Sequence, residues 1–331
     1  MNTPAMTIRL LSFALLFAFC LPLTAQQLPI FTQYRHYGGV INPANVPLDY
    51  FISDGLPERF VKVSGGQRLQ WVANENFNVN TSVIDGMGMT NLGNVSLLGG
   101  GYFIHDQVDV TTTDGFYARA AVYVGDPRGT FWGGLGFNAG YVLHAIDLRQ
   151  LKAYQANDPV LDYANLTASA PDLGVGGFGV FQWNNYDQVL LLGASVPQLL
   201  QPEISFTDNT DFDYQRIRHF YGRATFIAKT RSDYGFFEAS IWNRYVPGVP
   251  MSIDLNLRYQ VSSPFWFGLG ASTNGTAHVE AGTNISVSRT SAYDASENYI
   301  QLGYGFDFPF NPAYSTYFGS SHEINLAFLI F

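Results

Sequence analysis

Hydrophobicity in this chain alternates with a period of two, over segments too long for an ordinary soluble sheet. Ile253, Leu255, Leu257 and Tyr259 alternate with Asp254, Asn256, Arg258 and Gln260. Phe116, Ala118, Ala120, Val122 and Val124 oppose Tyr117, Arg119, Ala121 and Tyr123 in the same way. Later, Ile300, Leu302, Tyr304, Phe306 and Phe308 oppose Gln301, Gly303, Gly305 and Asp307. Successive side chains of a strand point to opposite faces, so each segment carries one apolar and one polar face. The segments run for about 10–13 residues, against about 5–6 for a soluble strand and 9–11 for one tilted through a bilayer. A sheet that meets lipid must also close, because an open edge leaves backbone groups unsatisfied.

Composition agrees with an apolar exterior. Charged residues make up 13% of the 331, about half the usual share of a soluble domain. Hydrophobic residues reach 47%, and 33 Gly, 20 Tyr and 27 Phe replace much of the missing charge. A disordered chain and a coiled coil are excluded. With 17 Lys and Arg against 26 Asp and Glu, there is no basic surplus for nucleic acid. Uncharged apolar runs of membrane-helix length are missing except near the N-terminus.

That N-terminal run reads as an export signal over residues 1–25. Arg9 supplies the positive start, Leu10 to Phe19 are nearly all apolar, and Leu23-Thr24-Ala25 offers a cleavage site. Phe19 is too bulky for a lipobox before Cys20, the one cysteine. Cleavage after Ala25 leaves no thiol, which excludes disulfides and cysteine-based metal sites.

Fourteen alternating segments begin near residues 60, 75, 94, 115, 130, 172, 187, 218, 234, 250, 264, 277, 297 and 321. The expected fold is an all-β, transmembrane outer-membrane barrel of about 14 antiparallel strands over residues 59–331, an even count as in bacterial barrels. Short links at 126–129, 184–186, 230–233 and 262–263 fall on one side, and long ones at 145–171, 197–217 and 309–320 on the other. The connections around 85–93 and 289–296 fit this scheme least. Aromatics at segment ends (Phe131-Trp132, Tyr141, Trp183, Tyr245, Phe265-Trp266, Tyr299) match interfacial girdles, and the chain stops on Phe331. Residues 26–58 do not alternate and read as a periplasmic or plug segment.

Catalytic patterns are weak. Gly174, Gly176 and Gly179 satisfy G-x-G-x-x-G, but inside a strand pattern rather than between strand and helix. The histidines (His36, His105, His144, His219, His278, His322) show no metalloprotease spacing, and there is no G-x-S-x-G elbow. No catalytic residue, metal or cofactor is expected. On the polar faces, Lys62, Arg68, Arg119, Arg223, Arg244 and Arg258 meet Glu238, Asp254, Glu280, Asp307 and Glu323. These signs nearly cancel, unlike a strongly selective pore, and predict a cross-lumen polar lattice. Residues 197–217 instead carry Glu203, Asp208, Asp211 and Asp213 against Arg216, an acidic outer loop and a candidate partner-binding surface.

Several segments together resemble the PorP/SprF family of Bacteroidota membrane proteins. They include Phe31-Thr32-Gln33-Tyr34 and Ile41-Asn42-Pro43-Ala44, then Gly193 to Leu200, Asp213 to Tyr221 and Asn243-Arg244-Tyr245. Asp254-Leu255-Asn256, Phe265 to Gly270, Gly303 to Asp307 and Ser321 to Ile324 complete the match in chain order. Two positions depart from the family pattern. Gly38-Gly39 stands where bulkier residues are commoner, and Asn45-Val46 where Ala-Gly usually follows. The resemblance implies an outer-membrane component of the type IX secretion and gliding machinery, with no catalytic residues. It also implies partners: a secreted surface protein, adhesin-like and carrying a C-terminal sorting domain, and other components of that machine. A diffusion porin or small-solute channel and an outer-membrane hydrolase using His144 or His219 remain the alternatives.

Overall fold

The computed structural model describes residues 29–52, 57–73, 79–150, 166–183, 187–206, 209–230, 235–262, 264–288, 298–310, 315–316 and 319–331. The export signal lies outside them. Two short helices, α1 (Gly38–Ile41) and α2 (Leu48–Ile52), precede the strands. The strands are β1 (Arg59–Gln70), β2 (Val79–Asn91), β3 (Val95–Val108), β4 (Thr111–Gly125), β5 (Phe131–Ile146), β6 (Leu166–Trp183) and β7 (Gln188–Val196). A hairpin follows, β8 (Glu203–Phe206) and β9 (Asn209–Gln215). Then come β10 (Phe220–Lys229), β11 (Phe236–Tyr245), β12 (Ser252–Ser262), β13 (Phe265–Ser272), β14 (Thr276–Ser288), β15 (Asn298–Pro309) and β16 (Ser321–Ile330).

All strands except β8 and β9 form one closed antiparallel barrel of fourteen. The ladder closes where β16 pairs with β1, from Val61 opposite Ile330 to Leu69 opposite His322. The alternation of sequence becomes two faces. Leu135, Phe137, Leu255, Leu269 and Leu326 are exposed on the outside, while Asp254, Asn256, Arg258 and Gln260 are buried within. The end that carries the start of β1 and the end of β16 has the short turns and is the periplasmic end.

Three details correct the sequence reading. The β2 strand runs unbroken through residue 85 to Asn91, so the link is only Leu92-Gly93-Asn94. Gly93 takes the positive φ of 73° that this turn needs. Asp85 belongs to the strand because it points inward, 3.8 Å from Arg119. Next, Trp132 and Trp266 are fully buried on the inner face, so they are not girdle residues; Phe131, Tyr141, Trp183, Tyr245 and Phe265 are exposed outside. Finally, the link 197–217 is no plain loop. It folds as the β8–β9 hairpin, with Ile204 and Phe206 packed on Leu148, Leu166 and Ala170. The platform exists because β5 and β6, at 16 and 18 residues, are longer than a bilayer requires.

Candidate functional site

The lumen is occupied by residues 29–52, which run from the outer half of the barrel down to the periplasmic rim. At the outer end, the backbone N–H groups of Thr32 and Gln33 donate to Glu323 at 2.8 and 2.9 Å, and the Thr32 hydroxyl donates to Asp307 at 2.7 Å. Arg68 bridges the same two carboxylates at 2.6 and 3.1 Å. Tyr34 hydrogen-bonds Ser240 and lies against Trp242 and beneath Arg223. Arg35 reaches Glu238 at 2.8 Å. Farther down, Ser195 donates to the carbonyl of Ile41, Asn42 donates to that of Gly177, and Arg119 donates to those of Pro43 and Asn45. The residues of the two N-terminal motifs are therefore among those that dock on the wall.

Glycines on the inner face make room for them. A Cβ on Gly66 would stand 1.8 Å from the Tyr37 hydroxyl, and one on Gly136 would meet the Ala44 backbone nitrogen at 2.7 Å. The two departures from the family pattern lie against each other. A Cβ on Gly38 would lie 2.0 Å from the Asn45 amide, so a bulkier residue at 38 requires the Asn45 side chain to move.

The outer half also buries Phe31, Tyr34 and Tyr37 with Tyr102, Tyr221 and Trp242, and the periplasmic half enters a larger apolar cluster. Ala44, Val46, Leu48, Tyr50 and Phe51 join Phe60, Met87, Met89, Leu98, Tyr123, Trp132, Phe178 and Leu329 in one buried cluster. Phe51 meets Trp132 edge-on at 5.8 Å, Tyr123 stacks on Trp132 at 4.3 Å, and Phe331 packs on Phe60 at 5.1 Å. Between segment and wall, cavities of about 20 and 30 Å³ remain, room for about one water each.

Each residue of the foreseen lattice lies on the inner side, but much of its pairing runs through the segment rather than across the lumen. Arg119 caps backbone carbonyls of the segment, Glu238 takes Arg35, and Asp307 takes Arg68 with Thr32. Glu280 accepts from Asn256 at 2.8 Å, Arg244 donates to Ser252 and lies over Trp242, and Asp254 is buried near them. Arg223 donates to Thr225 at 3.2 Å. Arg258 stacks on Trp266 at 3.7 Å. Sequence reasoning missed Arg35 and Asp49, which lie where no period marks a face. Burial opposes ionisation of Asp49, but Lys62 at 3.5 Å and Arg35 outweigh it and hold its pKa below the usual value. Burial, then the charges of Arg35, Lys62 and Arg223, push His36 well below the ordinary histidine pKa, so it is neutral.

Over the outer mouth, Arg216 leaves the acidic loop and bonds Asp172 at 2.9 Å, where Tyr117 also donates. Asp172 was missed because its strand begins six residues earlier than the pattern indicates, at Leu166. Glu203 is exposed on β8; Asp208 lies outside the described residues, as do the side chains of Asp211 and Asp213. Gly174 and Gly176 face inward within β6, against Pro197 and Asn42, with no helix after them. His144 is buried beside Thr113, and His219 bonds the Ile217 carbonyl. Among the described residues, no group of three His, Cys, Asp or Glu is placed to hold a metal.

A closed, even-stranded barrel with a lipophilic exterior and short turns at one end defines an outer-membrane β-barrel protein. Solved barrels share the architecture. A FadL homologue of Pseudomonas aeruginosa is similar with a TM-score of 0.53 and 8% identity, over 88% of this chain and 93% of that one. A TodX deltaS2S3 mutant monoaromatic hydrocarbon channel is similar with a TM-score of 0.50 and 9% identity, over 88% and 93%. At such identity the likeness is one of fold. No curated protein sequence matches. The chain belongs to the PorP/SprF family: the model for "Type IX secretion system membrane protein PorP/SprF" matches residues 23–328. It is thus an outer-membrane component of type IX secretion, from a family not known as enzymes.

Proposed function

We propose that this barrel receives or anchors one secreted surface protein, adhesin-like and carrying a C-terminal sorting domain, at its outer face. Residues 26–58 serve as a lumen plug, so cargo is held outside rather than conducted through. The observation that supports this reading most is the filled lumen beneath a folded outer hairpin. A diffusion channel needs an aqueous path, whereas here wall glycines are fitted to the residues of the N-terminal segment. The acids Glu203, Asp208, Asp211 and Asp213 provide the outer contact surface, and the hairpin's seat on β6 gives that surface a rigid base. Other type IX components are the further partners.

Co-purification tests this. The detergent-extracted barrel, taken from its native cells, is expected to retain an exported protein through that protein's C-terminal domain. Replacing Glu203, Asp208, Asp211 and Asp213 together by Asn or Gln is expected to release it at moderate salt. Retention of only periplasmic components, with no exported protein, would contradict the reading.

A further inference from the structure

Arg258 is a buried cation without an acceptor. It is 1% exposed, and its Nε and both Nη atoms make no hydrogen bond among the described residues. Directly opposite on the β11–β12 ladder stands Glu238, also pointing inward. Side chains so opposed have Cβ atoms about 4.5–5.5 Å apart, well within reach of an ion pair. Yet Glu238 is bonded to Arg35 of the N-terminal segment at 2.8 Å. The segment thus holds one oxygen of the carboxylate that stands opposite Arg258.

The outer half also buries Phe31, Tyr34 and Tyr37 against Tyr102, Tyr221 and Trp242, and its other two carboxylates keep their wall cation while docked. Glu323 and Asp307, which Thr32 and Gln33 engage, each retain Arg68 from the wall. Each carboxylate that residues 29–39 hydrogen-bond on the wall therefore has a wall cation beside it, Arg68 shared by Glu323 and Asp307, and Arg258 opposite Glu238. The barrel ladder also closes without any strand from the segment. Docking leaves one buried cation unpaired, which raises the docked state; release lets that cation pair. We propose that residues 29–39 form a displaceable stopper, with Glu238 as a two-position latch held by Arg35 when the stopper is docked and by Arg258 when it is released. Residues 44–51 stay in their apolar cluster and tether the moving part. The latch does not depend on whether the outer loops hold a secreted protein.

The test reads exposure of the stopper directly. Thr32→Cys serves as reporter in a chain where Cys20→Ser leaves no other thiol. Labelling of the folded barrel by a membrane-impermeant maleimide follows the released population, and heat-modifiable migration confirms folding of each variant. Arg35→Gln is expected to speed labelling about tenfold or more, the value of one charged hydrogen bond, and Arg35→Lys to speed it far less. Arg258→Gln is expected to slow labelling, since it removes only the released-state partner. Glu238→Gln loses both partners and is expected to fall below Arg35→Gln. Unchanged labelling in Arg35→Gln would overturn the stopper. Equal rates for Arg35→Gln and Glu238→Gln, or faster labelling in Arg258→Gln, would overturn the latch. If Arg258→Gln does not fold, Arg35→Gln and Glu238→Gln decide the matter.

Discussion

The two ends of the N-terminal segment occupy one lumen but are held by different balances of apolar and polar contact. The outer end, residues 29–39, is fixed by hydrogen bonds and ion pairs to Glu323, Asp307, Ser240 and Glu238, and it buries Phe31, Tyr34 and Tyr37 in a smaller cluster with Tyr102, Tyr221 and Trp242. The periplasmic end, residues 44–51, sits in an aromatic and aliphatic cluster closed by Trp132, Tyr123 and Phe60. Directional contacts each contribute little net stability, because water offers the same bonds to a released chain. Apolar burial has no such competitor, and its loss leaves a cavity as well. The lower end is held by the larger apolar cluster; the upper end combines a smaller one with directional contacts that can be removed one at a time.

The largest expected effect comes from breaking the anchor. Phe51→Ala removes a ring packed on Trp132, Tyr50 and Phe178 and is expected to cost about 3–5 kcal/mol. Hydrogen exchange should then accelerate over both halves of the segment while the barrel strands stay protected. Thr32→Val keeps the shape but deletes the bond to Asp307, a loss of about 1.5–3 kcal/mol. Its faster exchange should stop short of residue 44; spreading to 44–51 would break the distinction between the halves. Gly136→Val drives a side chain into the Ala44 backbone and is expected to cost about 1–3 kcal/mol, with the reverse pattern, faster exchange centred on the lower half.

Acidification sharpens the comparison with the smallest effect. The docked His36 pKa is depressed from 6.5 by burial and by Arg35, Lys62 and Arg223, so the released segment binds the proton more tightly. Docking is unaffected above pH 6.5 and weakens as pH falls below it, by at most about 1.4 kcal/mol per pH unit. Asp49, whose docked pKa is lowered from 3.8, adds its loss only in more acidic solution. His36→Gln should remove the response between those ranges, read as exchange of residues 29–39 corrected for its intrinsic pH dependence.

The barrel was legible because lipid imposes one rule on one face of every strand. Positions such as Leu255, Leu257 and Tyr259 declare that rule locally, and fourteen segments sufficed to anticipate closure. The lumen was less legible, because an inward position says nothing about what it faces. Trp132 and Trp266 alternate correctly with Phe131 and Phe265, yet an aromatic near a strand end looks the same for lipid or lumen. Thr32 meets a carboxylate 291 residues away, and no local period carries such a contact. Arg35 and Asp49 were silent for the same reason. The β8–β9 hairpin escaped notice because β8 has four residues, too few to display alternation.

The central claim is that the chain closes its own lumen. Planar-bilayer conductance tests it most directly, comparing the mature protein with a variant lacking residues 26–52, whose wall still closes through β1 and β16. The intact protein is predicted to hold no steady open level, and the deletion to conduct steadily. Equal, steady conductance from both would contradict the account.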